Sequence, residues 1–216
     1  MHIRRKLATA AATAMLLTHV STNAATDKTV NYTSEHPYTP VYGKTLPPIG
    51  YVNFCARNAG ECRSLRPAEN TKSTISLTSK RWSELKQINL FVNAHITPVS
   101  DQEQHNVPEH WDYPAGAGDC EDYVLLKKRY LEGLGFPAEA LLITVVLDEA
   151  GDGHAVLTVR TDAGDFILDN RRDTIQRWSE TRYQFLKRQS QQDPQVWMAL
   201  TNKERRKSTS AISGGS

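Results

Sequence analysis

The chain has 216 residues, of which 39% are hydrophobic and 23% are charged, with a formal net charge of +2. This length favours one compact domain with small additions, and the composition excludes a collagen, a coiled-coil rod and a protein with many membrane spans. Residues 1–24 hold three basic and no acidic residues, so the rest of the chain carries a formal charge of −1. Without a basic surface to neutralise phosphates, the sequence predicts no nucleic-acid partner.

Residues 1–24 have the pattern of a secretory signal peptide. Arg4, Arg5 and Lys6 precede an apolar run from Leu7 to Leu17, and small and polar residues follow. This order is typical of export signals, and the apolar run is too short to span a bilayer. We predict that this segment directs export and is removed, with a short N-terminal helix or anchor as the alternative.

The remaining chain divides into three parts by composition. Residues 25–46 are rich in Thr, Pro, Tyr and Gly without an apolar period, which predicts an extended arm. Residues 47–200 are predicted to form the domain. Residues 201–216 begin with a cluster of Lys and Arg and are predicted to form a basic flexible tail.

A first helix is predicted from Ser79, its cap, to about Ala94. Its apolar residues recur at near-helical spacing and are interpreted as core: Trp82, Leu85, Ile88 and Val92. The stretch from Thr97 to Gly118 collects prolines and glycines, and we predict a long irregular loop there. Loops of this length often carry function.

A second helix is predicted to begin at Asp119 or Cys120 and to run through Leu134, before the helix-ending Gly135. The apolar residues expected to face inward are Tyr123, Val124, Leu126, Leu131 and Leu134. The basic residues expected to face solvent are Lys127, Lys128 and Arg129.

Three strands follow, from Leu141 to Leu147, from His154 to Arg160 and from Asp165 to Asp169. Their short glycine-containing connections favour antiparallel pairing. The aromatic-bearing segment after Asn170 is expected to pack back on the core. The predicted fold class is therefore α+β, with a helix packed against a small antiparallel β-sheet.

The sequence contains three cysteines, an odd number for an exported protein. Cys55 and Cys62 are separated by a short loop with Asn and Gly that can bring the two sulfurs together, so we predict a disulfide. Two free thiols remain an alternative, and a metal pair is disfavoured because no second pair matches it. Cys120 is left without a cysteine partner.

The candidate catalytic residues are Cys120, His154 and Asp169. Cys120 stands at the start of a helix, where the helix dipole favours the thiolate, and the other two residues lie on successive strands. This combination predicts a nucleophile, a general base and an orienting acid. Backbone N–H groups at the helix start, including that of Cys120, are candidate oxyanion donors. Candidate side-chain donors are Asn89, Asn93 and Trp111.

The strand register complicates this triad. A turn centred on Ala163 would pair Leu157 with Asp169 and leave His154 about 10 Å out of line along the strand. A bulge or an earlier turn is needed to correct this. Asn170 therefore remains a second candidate for the orienting role. A buried structural cysteine, a core histidine and a turn-forming aspartate are the alternative reading of the three residues.

Three acidic residues surround the candidate thiol in sequence: Asp119, Glu121 and Asp122. Their charges should oppose thiolate formation, although acids are also common in the first turn of any helix. A divalent cation would cancel the repulsion, and calcium fits oxygen ligands of this kind outside the cytoplasm. Backbone carbonyls and waters would have to complete its shell.

Five motifs together resemble the bacterial transglutaminase-like cysteine peptidases. They span most of the chain between residues 47 and 197 and are Pro47–Cys55, Arg81–Leu85, Gly118–Tyr123, Gly153–Leu157 and Leu168–Asn170. The resemblance implies a papain-like fold of transglutaminase type, with the triad on Cys120, His154 and Asp169.

Some members of this family, the LapG-type proteases, are periplasmic and calcium-dependent. They cleave large surface adhesins in biofilm control and are sequestered by an inner-membrane receptor. The resemblance therefore implies a periplasmic location, a protein substrate such as an adhesin, and calcium held by Asp119, Glu121 and Asp122. Acyl transfer to an amine, and a non-catalytic calcium-stabilised envelope protein, remain as alternative functions.

Overall fold

The structure is a computed structural model that describes residues 36–63 and 74–201. The predicted signal peptide, residues 25–35 of the predicted arm and the predicted tail after Thr201 lie outside the described residues. Within the two described ranges, no helix combines the length and apolar character that a membrane crossing needs.

Four α-helices occur in the described ranges. They are α1 (Ile49–Arg57), α2 (Ser79–His95), α3 (Asp101–His105) and α4 (Cys120–Gly133). The bounds of α2 and α4 confirm the two predicted helices, but the cap of α2 is Thr78 rather than Ser79. The Thr78 hydroxyl accepts a hydrogen bond from the backbone N–H of Arg81 at 3.2 Å.

The described strands form two sheets. Their bounds are β1 (Lys44–Thr45), β2 (Thr97–Pro98), β3 (Ala117–Gly118), β4 (Leu141–Leu147), β5 (Gly153–Thr161), β6 (Gly164–Leu168), β7 (Gln176–Arg177), β8 (Gln184–Gln189) and β9 (Trp197–Ala199). The main sheet has the order β1-β9-β8-β4-β5-β6-β7 with antiparallel neighbours throughout, and β2 pairs with β3 in parallel.

The sheet is larger than predicted. Strands β4, β5 and β6 were expected, whereas β7, β8 and β9 come from the C-terminal segment that was expected only to pack on the core. Strand β1 lies within the predicted arm and forms one edge of the sheet, so the folded unit begins before residue 47. The predicted irregular loop between Thr97 and Gly118 contains β2, α3 and β3.

Helix α4 packs against β4, β5 and α2. The main buried cluster joins residues of the helix to residues of the sheet, among them Val124, Leu131, Leu141, Leu157 and Leu168. Burial of this apolar surface is the main term that holds the helix on the sheet. Its position places the start of α4 beside the start of β5.

The prediction that Lys127 faces solvent is wrong. Its side chain is fully buried, four residues after Tyr123 and four before Leu131, and therefore on the inward face of α4. The Nζ atom donates to Oδ1 of Asn89 on α2 at 2.7 Å. The other end of the predicted stripe also differs, because Leu134 is exposed.

Cys55 and Cys62 form a disulfide, as predicted. Cys55 lies in the last turn of α1, and Cys62 lies in the turn that follows it. Because these two cysteines are paired, Cys120 is the free cysteine of the sequence.

Candidate active site

Cys120 is the first residue of α4 and is partly buried. Its Sγ atom accepts a hydrogen bond from the backbone N–H of Ala155 at 3.3 Å and donates one to Oε2 of Glu121 at 2.9 Å. Ala155 follows His154 directly on β5. The helix start and the strand start therefore bring the thiol and the imidazole-bearing residue to one place.

Gly118 allows the backbone before Cys120 to lie close to the first turn of α4. A methyl group at position 118 would lie 2.4 Å from Oδ2 of Asp122, so a larger residue here would have to displace that carboxylate. Asp122 in turn accepts a hydrogen bond from the backbone N–H of Asp112 at 2.9 Å. The glycine therefore lets the segment before Cys120 lie against the first turn of α4.

His154 and Asp169 form a buried pair. The Nε2 atom of His154 lies 2.9 Å from Oδ1 of Asp169, and both side chains are almost fully shielded from solvent. Within the part of the chain that the structure describes, Nδ1 of His154 has no hydrogen-bond partner. A carboxylate on Nε2 favours a proton on that nitrogen and leaves Nδ1 as a proton acceptor.

The register of β5 and β6 explains how this pair forms. Leu157 pairs with Leu168, not with Asp169, because the turn is a two-residue turn between Thr161 and Gly164. The predicted register was wrong by one residue, and a shift of one residue moves every side chain to the opposite face. In the observed register Asp169 emerges on the same face as His154.

Asp169 accepts hydrogen bonds on both carboxylate oxygens. Oδ1 also receives the backbone N–H of Arg171 at 3.0 Å, and Oδ2 receives the hydroxyl of Tyr183 at 2.5 Å. Burial alone would raise the pKa of Asp169, but the hydrogen bond and charge of His154, followed by the Tyr183 hydroxyl, lower it to about 2. Asp169, and not Asn170, bonds to the imidazole.

The side-chain amides of Asn89 and Asn93 donate hydrogen bonds to other parts of the structure. The Asn89 amide donates to the backbone carbonyls of Arg172 and Asp173, and the Asn93 amide donates to the carbonyl of Asp169 at 3.0 Å. Both side chains are committed to the turn after β6. They hold the segment that follows Asp169, a structural role that the sequence did not reveal.

Trp111 is the third side chain that the sequence offered as a donor. Its Nε1–H donates to Oε2 of Glu109 at 2.9 Å, and the ring is buried against Tyr51. Its indole proton is therefore already engaged. The backbone N–H groups at the start of α4 remain the candidate oxyanion donors.

A cluster of three carboxylates lies beside the thiol. Asp101, Asp119 and Glu121 each offer an oxygen, and these oxygens lie within 4.8 Å of one another. Asp101 and Glu121 are buried. The structure thus brings two of the three predicted metal ligands, Asp119 and Glu121, close to Asp101, a carboxylate that the sequence analysis did not name.

Asp122 lies outside this group of three. One of its oxygens is committed to the backbone N–H of Asp112, and the other packs against Gly118. Burial, together with the charges of Asp119 and Asp101, raises the pKa of Asp122 to about 7. The residue therefore borders the cluster and feels its charge.

The cluster is electrostatically unfavourable by itself. Burial and then the charge of neighbouring carboxylates raise the pKa of Asp119 and, more strongly, that of Glu121. Burial and the adjacent Glu121 likewise raise the pKa of Cys120 well above its ordinary value. Within the described residues, the buried Oδ1 of Asp119 has no hydrogen-bond partner. Three close carboxylates with an unused oxygen fit the oxygen-rich donor set of a hard divalent cation.

Comparison with known proteins identifies the fold and the family. Residues 41–205 match the family model of the bacterial transglutaminase-like cysteine proteinases. This match and the mixed architecture of helices and antiparallel sheet confirm the predicted α+β fold of transglutaminase type. A search of curated proteins found no match.

Solved structures of one protein, LapG of Legionella pneumophila, are similar to this chain. The calcium-bound form is 24% identical, with 56% of this chain and 70% of that chain covered and a TM-score of 0.48. A second LapG structure is 22% identical, covers 60% of this chain and 74% of that chain, and also has a TM-score of 0.48. The EGTA-treated form is 22% identical, with 61% of this chain and 76% of that chain covered and a TM-score of 0.47.

Proposed function

Because the chain belongs to the bacterial transglutaminase-like cysteine proteinases, we propose that it is an endopeptidase with a triad of Cys120, His154 and Asp169. One observation carries this proposal. The imidazole of His154 is bonded to Asp169 through Nε2, and its Nδ1 has no hydrogen-bond partner among the described residues, while the sulfur of Cys120 contacts the backbone N–H of Ala155, the next residue on the strand.

Each member of the triad has a defined task. His154 takes the proton of the Cys120 thiol on Nδ1, and the sulfur attacks the carbonyl carbon of the scissile peptide bond. Backbone N–H groups at the start of α4 stabilise the oxyanion. The intermediate collapses to a thioester as the imidazolium gives its proton to the leaving amine. Water, deprotonated by His154, then hydrolyses the thioester and restores the thiol.

Asp169 holds the imidazole in this task. Its charge stabilises the imidazolium that forms after proton transfer, and its hydrogen bond to Nε2 keeps Nδ1 directed away from the carboxylate. Burial would raise the pKa of Asp169, but His154 and Tyr183 lower it, and the carboxylate therefore stays ionised at neutral pH.

Calcium is part of the proposal, and the residues that would hold it are Asp101, Asp119 and Glu121. When bound, a divalent cation supplies positive charge that offsets the acids around the thiol and lowers the pKa of Cys120. Glu121 is the residue that connects the two sites, because its carboxylate also accepts the Cys120 thiol proton.

A periplasmic location, a surface adhesin as substrate and a membrane receptor as partner complete the proposal. The location is supported by the signal-like pattern in residues 1–24. The substrate and the receptor are supported by the resemblance of the Gly118–Tyr123 motif to the LapG-type proteases. A protein substrate agrees with the peptidase family of the chain.

The test uses N-terminal fragments of large surface adhesins, incubated with the mature chain and calcium in water enriched in oxygen-18, with a dansyl-labelled amine present. Hydrolysis places one heavy oxygen on the new C-terminus, whereas acyl transfer places the dansyl group there. We expect hydrolysis, its loss in Cys120→Ala, and full activity in His95→Gln, which alters an exposed histidine. Cleavage that persists in Cys120→Ala would refute the proposal.

A further inference from the structure

Tyr183 lies just before β8 and is buried against the candidate triad. Its hydroxyl lies 2.5 Å from Oδ2 of Asp169, and its ring meets the imidazole of His154 edge to face with centroids 5.7 Å apart. The two oxygens of Asp169 thus have separate partners. Oδ1 faces His154 and the backbone N–H of Arg171, whereas Oδ2 faces Tyr183.

On the basis of the triad proposed above, we propose that Tyr183 is a positioning residue that orients the Asp169 carboxylate toward His154. A carboxylate bonded through one oxygen can rotate about its last side-chain torsion, which is broad in aspartate. A second donor on the other oxygen removes that freedom. The plane of the carboxylate, and with it the direction of the bond to Nε2, is then fixed from both sides.

Tyr183 is suited to act as a permanent donor. Burial, followed by the hydrogen bond to Asp169, raises the pKa of Tyr183 to about 12, so the hydroxyl keeps its proton at neutral pH. A hydrogen bond from a hydroxyl to a buried carboxylate is among the stronger kinds in proteins.

The tyrosine is itself held in place. Its ring belongs to a buried apolar cluster on the sheet face that carries His154, with Val146, Val156, Ile167, Phe185 and Leu200. The guanidinium of Arg172 lies 5.9 Å from the ring centroid and pairs with Glu149 in the β4–β5 turn. The support therefore spans the turn before His154 and the turn after Asp169.

The experiment is a double-mutant cycle of Tyr183→Phe and Asp169→Asn, with Tyr130→Phe as the matched control. Tyr130 lies on α4, is partly exposed and contacts Phe91 with its ring. Two quantities are measured in calcium-containing buffer. They are the chemical shift of the His154 Nε2–H proton, assigned with His154→Gln, and the rate of Cys120 alkylation by iodoacetamide at pH 7. Thermal unfolding verifies that each variant is folded.

If Tyr183 acts through Asp169, Tyr183→Phe weakens the hydrogen bond from Nε2–H of His154 to Asp169, so the Nε2–H resonance moves upfield and alkylation slows about tenfold. In the Asp169→Asn background, the same change alters the rate by less than about twofold, because the carboxylate that it orients is gone. Tyr130→Phe leaves both quantities at their wild-type values.

Two results would overturn the inference. One is an Nε2–H resonance of His154 that keeps its wild-type position or moves downfield in Tyr183→Phe while Asp169→Asn still slows alkylation. The other is an equal effect of Tyr183→Phe in both backgrounds, which would show a general structural role. Failure of the proposed function is distinguishable, because Asp169→Asn itself would then leave the alkylation rate unchanged.

Discussion

The Sγ atom of Cys120 lies 2.9 Å from Oε2 of Glu121, so the candidate nucleophile donates its proton to a carboxylate of the neighbouring acidic cluster. A cation at the proposed site would bind the same carboxylate that accepts this proton. Under the proposal, thiol chemistry and cation binding are therefore coupled through Glu121, and a bound cation would favour transfer of the thiol proton to His154.

Calcium should accordingly stabilise the protein as well as activate it. At a calcium concentration about 100 times the dissociation constant, binding to the folded state adds about 2.7 kcal/mol to the free energy of unfolding. Urea unfolding with calcium and with a chelator measures this gain. Asp101→Asn removes a buried ligand and should abolish most of it.

The matched control is Glu139→Gln, which alters a carboxylate in the short turn Ala138–Ala140, beyond the C-terminal end of α4. It should keep the full calcium effect. An equal gain in stability for Asp101→Asn and wild type would contradict the assignment of the cluster.

Gly118 should not tolerate alanine. The added methyl group would lie 2.4 Å from Oδ2 of Asp122 and would have to displace that side chain in the first turn of α4. We expect Gly118→Ala to lower the free energy of unfolding by about 1–3 kcal/mol and to reduce activity. Gly133→Ala is the control, because a methyl group there meets nothing within 4 Å and should stabilise the helix. Equal stability of the two variants would be inconsistent with the packing of Gly118.

Lys127 predicts a dependence of stability on alkaline pH. Burial lowers the pKa of this lysine to about 7, despite the opposing charges of Asp169 and Asp173. Between about pH 7 and the pKa of an exposed lysine near 10.4, the unfolded chain holds a proton that the folded chain lacks, so this group makes stability rise with pH.

Removing the lysine should remove that rise. From pH 7.5 to pH 9.5, the free energy of unfolding of wild type should gain about 2 kcal/mol relative to Lys127→Met. Urea titrations at both pH values measure it. Lys86→Met alters an exposed lysine on α2 and should follow wild type, whereas a constant difference between wild type and Lys127→Met would refute the shift.

Asp169 predicts a loss of stability at acid pH. Its folded pKa of about 2 lies below the unfolded value near 3.9, so it stabilises the fold above pH 4, and this contribution is lost as the pH falls toward 2. The loss should amount to about 2 kcal/mol and should be absent in Asp169→Asn. Acid titration followed by circular dichroism compares the two proteins. If wild type and Asp169→Asn lose stability equally as the pH falls, the result would argue against the buried pair with His154.

The sequence predicted the elements with strong periodicity. Helix α4 and strands β4 to β6 have continuous apolar patterns, and their bounds agree with the structure within about one residue. Strand β8 was missed because the residues from Gln184 to Gln189 are mostly polar and do not alternate. Helix α3 had a signal that was overlooked, since Ser100 and Glu103 have the spacing of a capping box and form one.

In the candidate site, too, some residues could be predicted from local sequence patterns and others could not. Cys120 and His154 were visible from their positions at element starts, and the structure places both at one end of the sheet. The contribution of Asp101 depends on how the segment before α4 folds back, which no local pattern specifies. Tyr183 and Lys127 looked like ordinary packing or surface residues, and only the tertiary structure shows their links to Asp169 and Asn89.

The central claim is that His154 activates the thiol of Cys120, and the most direct test is the alkylation rate of that thiol. Iodoacetamide reports Cys120 alone, because the other two cysteines are joined in a disulfide. Mass spectrometry at pH 7 in calcium should show a rate at least tenfold lower in His154→Gln than in wild type, and an unchanged rate in His95→Gln. A thiol that reacts equally fast with and without the His154 imidazole would contradict the account.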